Sequence, residues 1–467
     1  MNEQDRFRRL VARYPHDHTP FFHRPHASRR QFFQLLSAGI TGSMLLRPRT
    51  ASGAEISSSP VTTQNKAKNV IFILLTGAPS HTDTFDFKRS PDTPASITSD
   101  TIGGIVWPTS LLPKMATQLP NFAIVRSVRA WALVHSLSQT WVQIGRNPAA
   151  ALGDIAPNIG SVVAIEKDPE RGPNQVFPTF LALNANSQAG PGYLSAKYAP
   201  FKLANVRSAT AGIPNTTNAV GQNRTNDRYA LMRSLDDPLR INSPLGTPVS
   251  DMGDFYESAK ALMYNPAVDS AFKYSTEDAA RYGNTPFGSS CLVAKQVLAA
   301  NQGTRYIQIT LGGWDMHTNI YGTAANSLGP LSKQFDDGVG ALLGDLKASG
   351  QLDSTLVVMM GEFGRTVGRL SAAGGRDHYP QQSVIFAGSG IKGGRTIGST
   401  DATGASTSEF GWSRRRDIKP EDVEATIYSA MGINWTNVRY DDPFGRGFEY
   451  VPFSDQDLYG PINELWS

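Results

Sequence analysis

The sequence has a single cysteine, Cys291. No disulfide can close within the chain and no thiolate cluster can form, so any metal must be held by nitrogen and oxygen ligands. Cys291 itself falls among Leu292, Val293, Val297 and Leu298 at helical spacing, which predicts a core position rather than a nucleophile. Long apolar runs are missing as well. The stretch Leu35 to Leu46 is shorter than the ~20 residues a helix needs to cross a bilayer, and Gly39 and Gly42 interrupt it. No stable membrane span is expected, and no repeat of solenoid period is present. A basic surface is also missing, despite a formal net charge of +4. Nine arginines lie in residues 1–54 against Glu3, Asp5 and Asp17, which leaves 35 of the 44 basic and 37 of the 40 acidic side chains to the rest. The body is slightly acidic, and nothing in it predicts a nucleic-acid partner.

What the N-terminus does have is an ordered series: Ser28-Arg29-Arg30-Gln31-Phe32-Phe33, the short apolar run, then Ser52-Gly53-Ala54. Paired arginines, paired aromatics, an apolar segment and small residues resemble a twin-arginine signal peptide with its cleavage site. The reading is a signal at 1–54, a polar linker at 55–67 and an α/β domain at 68–467, exported by the twin-arginine machinery to the periplasm or beyond.

The body opens with Asn69-Val70-Ile71-Phe72-Ile73-Leu74-Leu75, an unbroken apolar run. Continuous hydrophobicity marks a strand covered on both faces. Further runs at Phe122 to Val125, Tyr306 to Leu311, Leu356 to Met360 and Val384 to Ala387 read the same way. Between them, Leu331, Phe335, Leu342, Leu343 and Leu346 recur at helical spacing within 324–349, with Gly350 placed to end the helix; Pro420 begins another that Gly432 closes. Alternating strands and helices predict an α/β fold, a central, mostly parallel sheet sandwiched by helices. Residues 145–285, rich in Gly, Pro, Asn, Ser and Thr, read as an irregular insertion in which Ile155 to Ile165 is helical and Phe180 to Leu183 a strand.

Of the eight histidines, four belong to the leader; His81, His135, His317 and His378 remain. Each lies near a predicted strand end and beside acidic or hydroxyl residues. In open α/β sheets ligands bind beyond the carboxyl ends of the strands, so residues far apart in sequence can converge there. Ser80-His81-Thr82-Asp83 follows the first strand, and Asp83 reads as a ligand, the alternative being that Asp83 or Asp86 caps the next helix. Gly312-Gly313-Trp314-Asp315-Met316-His317 puts a carboxylate and an imidazole on one side of an extended segment, as two ligands of one ion require. Glu362 ends a buried strand, where an unpaired carboxylate would be costly, so it meets a metal or Arg365. Arg365 alternatively grips an anion, as does Arg376. In Arg376-Asp377-His378, adjacent side chains point apart, which makes His378 the ligand and Asp377 its supporting partner or an alternate ligand. Ser136, at a predicted helix start, reads as the nucleophile. His135 reads as a ligand or a base, and His81 lies near the substrate.

Four of these segments occur together in a recognisable order. Ile71-Phe72-Ile73-Leu74 with Gly77-Ala78-Pro79-Ser80-His81-Thr82-Asp83-Thr84-Phe85-Asp86, then Gly312 to His317, Gly361-Glu362-Phe363-Gly364-Arg365-Thr366 and Gly375-Arg376-Asp377-His378-Tyr379-Pro380, resemble the bacterial domain of unknown function 1501 family. Cys291-Leu292-Val293-Ala294 and the twin-arginine leader are also similar, and the resemblance covers residues 28–440. The family's place in the alkaline-phosphatase/sulfatase superfamily implies a central mixed sheet with a metal site at its edge. Three departures stand out. Thr76-Gly77 occupies the place of the superfamily's first-strand aspartate. Glu362-Phe363-Gly364 replaces an Asp-His pair. No Cys-x-Pro-x-Arg motif surrounds Cys291, which disfavours a formylglycine-dependent sulfatase.

The expectation is an exported hydrolase of phosphate or sulfate esters that uses one or two divalent ions, zinc or manganese. Asp83, Asp315, His317, Glu362, Asp377 and His378 are the candidate ligands. An anionic small molecule or polysaccharide is the expected substrate. The alternative is a non-catalytic exported protein that recognises anionic polysaccharide on the same fold.

Overall fold

Each continuous apolar run becomes a strand of one sheet in the computed structural model, which describes residues 56–150, 152–185, 189–204, 206, 217–240 and 247–467. Residues 1–54, read from the sequence as a twin-arginine signal, lie outside the described residues. Residues Glu55–Ser467 pack as one compact unit. The main sheet consists of β1 Asn69–Leu74, β2 Phe122–Arg129, β3 Phe180–Leu183, β4 Phe201–Leu203, β5 Tyr306–Thr310, β6 Thr355–Met360, β7 Gln381–Gly388 and β8 Arg395–Ile397. Their spatial order is β8-β2-β7-β6-β1-β5-β3-β4. Every pairing is parallel except those of β7, which runs antiparallel to both β2 and β6. The sheet is therefore mixed, with one reversed strand near its centre.

Successive side chains of a strand point to opposite faces. In β1, Val70, Phe72 and Leu74 enter one core while Ile71 and Ile73 enter the other. The Ile71 face is covered by α5 Pro286–Ala300 and α6 Leu328–Ala348, through Leu292, Val293, Phe335 and Leu342 among others. The Val70 face is covered by α1 His135–Ile144, α2 Ile159–Lys167 and α7 Pro420–Ala430, through Val142, Val162, Val423 and Ile427. Cys291 is buried in the α5 core, as its neighbours predict. Gly350, at φ 74°, takes the left-handed conformation that ends α6.

The stretch 145–285 is more regular than its composition suggests. β3 and β4 extend the main sheet, and α3 Gln222–Arg240 and α4 Thr247–Leu262 are long helices. Leu231 and Leu235 of α3 are exposed, and Pro238 lies inside it, so no apolar stripe announces this helix in the sequence.

The topology places the site. β1, β2, β5 and β6 all end at one edge of the sheet, and the reversed β7 starts there. His378 thus arrives from the segment before its strand, whereas Asp315, His317 and Glu362 arrive from the segments after theirs.

Candidate metal centre

Local backbone geometry sets each segment against the next. After β1 the chain turns through Gly77 at φ 99° and Ala78 at φ 63°. A Cβ on Gly77 would lie 2.5 Å from the backbone nitrogen of Asp315, so only glycine lets these segments touch. The same turn aims two carbonyls at Arg365, whose Nη2 donates to Gly77 O at 2.5 Å and whose Nε donates to Ala78 O at 3.1 Å. Gly364–Arg365 pairs antiparallel with His378–Tyr379, which sets Arg365 opposite His378. The Arg376 amide donates to Met316 O at 2.9 Å and joins the two loops that carry His317 and His378.

Side-chain atoms of His135, Asp315, His317 and His378 lie within 4.8 Å of one another. Asp315 Oδ1 is 3.2 Å from His135 Nε2, 3.0 Å from His317 Nε2 and 3.8 Å from His378 Nε2. His317 Nε2 and His378 Nε2 are 3.1 Å apart. Asp315 is 48 % exposed at its side chain and His317 41 %, so the group opens to solvent on one side. On the other, the buried Phe363 ring packs 4.8 Å from His135 and 4.7 Å from His378.

The opposite ring nitrogens decide what faces inward. His135 Nδ1 donates to Glu362 Oε1 at 2.6 Å, His317 Nδ1 to Asp377 Oδ1 at 2.9 Å and His378 Nδ1 to Leu133 O at 2.7 Å. A carboxylate or a backbone carbonyl can only accept, so each Nδ1 carries a proton, and the Nε2 of each ring is the nitrogen that faces the others. Two lone pairs 3.1 Å apart repel unless a cation lies near both. Three imidazole nitrogens and one carboxylate oxygen, each imidazole held from behind by an acceptor, form the donor set that Zn²⁺ and similar divalent ions prefer.

The charges agree with this assignment. Burial would raise the Asp315 carboxyl, but the hydrogen bond and charge of Arg365, at 2.5 Å, take it below the usual carboxylate range. The bond to Glu362 raises His135 above the ordinary imidazole value, which makes its Nε2 a better donor to a metal. Burial lowers His378 and keeps it neutral. Arg365 also reaches within 3.3 Å of His317 Nε2 and 3.5 Å of His135 Nε2. Four of its five N–H groups go to Gly77 O, Ala78 O, Arg376 O and Asp315, which leaves one on Nη1 for His317 Nε2.

The other residues singled out in the sequence take up positions around this group. Glu362 is fully buried and gives Oε1 to His135, to Gln139 Nε2 at 2.9 Å and to the Gly77 amide at 2.9 Å. Asp377 stands behind His317, with Oδ1 2.9 Å from its Nδ1, rather than behind its neighbour His378. Asp83 is engaged elsewhere: its Oδ2 accepts from Arg376 Nε at 2.6 Å and from Ser80 Oγ at 2.5 Å, and its Oδ1 from Tyr321 OH at 2.7 Å. Both members of the Asp83 and Arg376 pair are buried, so Arg376 is spent on an internal ion pair rather than open to an anion. His81 is buried, with Nε2 at 2.8 Å from Gly404 O, and burial holds it neutral. Ser136 is exposed in the first turn of α1, next to His135.

Three contributors escaped the sequence reading. Gln139 lies one helical turn after His135, and that spacing was a legible sign of a shared partner. The Leu133 carbonyl and the Gly77 amide are backbone groups and carry no sequence signal.

The family model for proteins of unknown function named DUF1501 matches residues 67–456. The chain belongs to this family. No curated protein matches it. Solved structures similar to it include the lipoteichoic acid synthase of Listeria monocytogenes, 11 % identical over 82 % of this chain and 76 % of that one, at a TM-score of 0.38. A sulfatase from Pseudoalteromonas sp. is 13 % identical over 79 % and 68 %, at 0.38. The alkaline phosphatase of the Antarctic bacterium TAB5 is 15 % identical over 72 % and 95 %, at 0.33. The functional reading of this DUF1501 chain rests on its own side chains.

Proposed function

We propose that this protein is a metal-dependent hydrolase of phosphate or sulfate esters, exported by its twin-arginine segment. The observation that carries the reading is the convergence of His135, His317 and His378 Nε2 with Asp315 Oδ1, every imidazole oriented by a bond at its far nitrogen. These four residues would hold the ion, which when bound supplies positive charge to an ester oxygen and to an attacking oxygen.

The chain's own groups prepare that chemistry. Glu362, Asp377 and the Leu133 carbonyl fix the three tautomers. Arg365 keeps Asp315 ionised. Gly77 and Ala78 hold Arg365 in place. Ser136 is the hydroxyl we assign as nucleophile, because it is exposed beside His135 in the first turn of α1, where free backbone amides favour developing negative charge.

The test is metal content together with turnover. Purified mature protein is expected to carry a divalent ion and to hydrolyse members of a panel of phosphate and sulfate monoesters, with both properties lost in His317→Ala. Protein without metal, whose melting temperature is unchanged by chelators, would sink the reading. A metal-bound protein that turns over no ester would favour non-catalytic recognition of anionic polysaccharide.

A further inference from the structure

The loop that leads into the metal centre carries an aromatic side chain that the proposed chemistry does not use. Trp131 lies four residues before His135 and is 48 % exposed, and Leu133 and Val134 beside it are exposed at 38 % and 58 %. An indole is usually well covered, and three adjacent exposed apolar side chains form a patch rather than scattered surface residues.

This indole is fixed in place. Its Nε1 donates to Glu421 Oε2 at 3.1 Å, and Trp141 Nε1 donates to the other oxygen of the same buried carboxylate at 2.9 Å. The two rings stack, with centroids 6.3 Å apart and planes 23° from parallel. One acceptor thus orients two indoles, so a ligand that met Trp131 would not have to order it first. Lys419 sets its ammonium 3.9 Å from the centre of the Trp131 ring. The patch is coupled to the centre through the backbone, because Leu133 O is the acceptor that orients His378.

We infer that Trp131 and Lys419 form a subsite for an anionic sugar ring, the indole stacking on the pyranose face and the ammonium meeting its sulfate, phosphate or carboxylate group. A rigid amphipathic aromatic surface takes large contact area at low entropic cost, and the adjacent cation gives preference for charge. A purely apolar partner would be poorly served by an ammonium over the ring. The inference deepens the proposed function, since it names the substrate class of the same site, and its test reads binding alone so that the two can fail separately.

The experiment is affinity electrophoresis of the mature full-length protein in gels containing dextran sulfate, a carrageenan or a fucoidan, with the desulfated form of each and polyacrylate as controls. At least one sulfated polysaccharide is expected to retard the wild type strongly, its desulfated form weakly and polyacrylate least. Trp131→Ala is expected to weaken the retardation at least about tenfold. Trp131→Phe, which keeps a ring but loses the bond to Glu421, is expected to retain most of it, which separates ring stacking from a folding defect. Lys419→Gln is expected to abolish the preference for the sulfated form. Equal retardation by polyacrylate, or no retardation by any polysaccharide, would overturn the inference, the latter leaving the patch to an apolar partner. Unchanged binding in Trp131→Ala would also overturn it.

Discussion

His317 and His378 point their Nε2 atoms at each other across 3.1 Å, while Asp377 and the Leu133 carbonyl hold the protons of both rings on the far side. A divalent cation shared by both rings would suit this geometry, and the Arg365 guanidinium, 3.3 Å from His317 Nε2, already lies beside one of them. It follows that the outer acceptors matter nearly as much as the ligands. Asp377→Asn, which loses the charge behind His317 and allows the amide to present a donor, is expected to lower metal affinity about 10- to 100-fold. Competition with a chromophoric chelator measures it, and a variant that binds as tightly as the wild type would contradict the assignment.

Gly77 offers a second expectation. An alanine there needs a left-handed conformation at φ 99° and places its Cβ 2.5 Å from the Asp315 amide, which is backbone and cannot rotate away. The conformational cost alone is of order 1–3 kcal/mol. Gly77→Ala should therefore melt lower and also bind metal less well, because the segment that must shift carries Asp315.

The Asp83 and Arg376 pair should behave as structure rather than as ligand and anion site. Asp83→Asn leaves a buried guanidinium without its counter-charge, which is expected to cost about 3–5 kcal/mol. Denaturant unfolding reads the cost. The bound metal should remain in the fraction that folds, and stoichiometric loss of metal from a well-folded variant would return Asp83 to the ligand set.

A pH dependence of stability arises away from the centre. Burial raises Glu424 to about 8 and Glu421 to about 7, from an ordinary value of 4.5. Both shifts are upward, so between these values the folded state holds protons that the unfolded state has released. Stability contributed by these groups is full below pH 4.5 and falls as pH rises toward 7 and 8, by at most about 1.4 kcal/mol per pH unit for each group. In Glu424→Gln the decline between pH 5 and 8 should be shallower than in the wild type. An identical slope in urea titrations would show that Glu424 does not take up a proton on folding.

Much of this was legible in the sequence. The unbroken runs at Val70 to Leu74 and Leu356 to Met360 are strands because both faces of the sheet are covered, and hydrophobicity alone reports that. The spacing of Asp315 and His317 read as two ligands of one ion, and their side chains do come together, at 3.0 Å. His135 was left between ligand and base because a residue at a helix start has no fixed partner in sequence; only the reversed β7, which brings His378 against Leu133, shows where it points. Asp83 read like a ligand because burial and a nearby histidine look alike whether the partner is a metal or the guanidinium of Arg376, 293 residues later. The helices α3 and α4 escaped notice because α3 exposes Leu231 and Leu235 and so writes no apolar stripe.

The central claim is that three imidazoles and a carboxylate hold one ion. X-ray absorption at the edge of the metal in the purified mature protein tests it most directly. The account predicts a shell of nitrogen and oxygen at about 2.0–2.1 Å with the outer-shell scattering of several imidazoles, weakened in His317→Ala and in His378→Ala. A metal surrounded only by oxygen, or a spectrum unchanged in both variants, would contradict it.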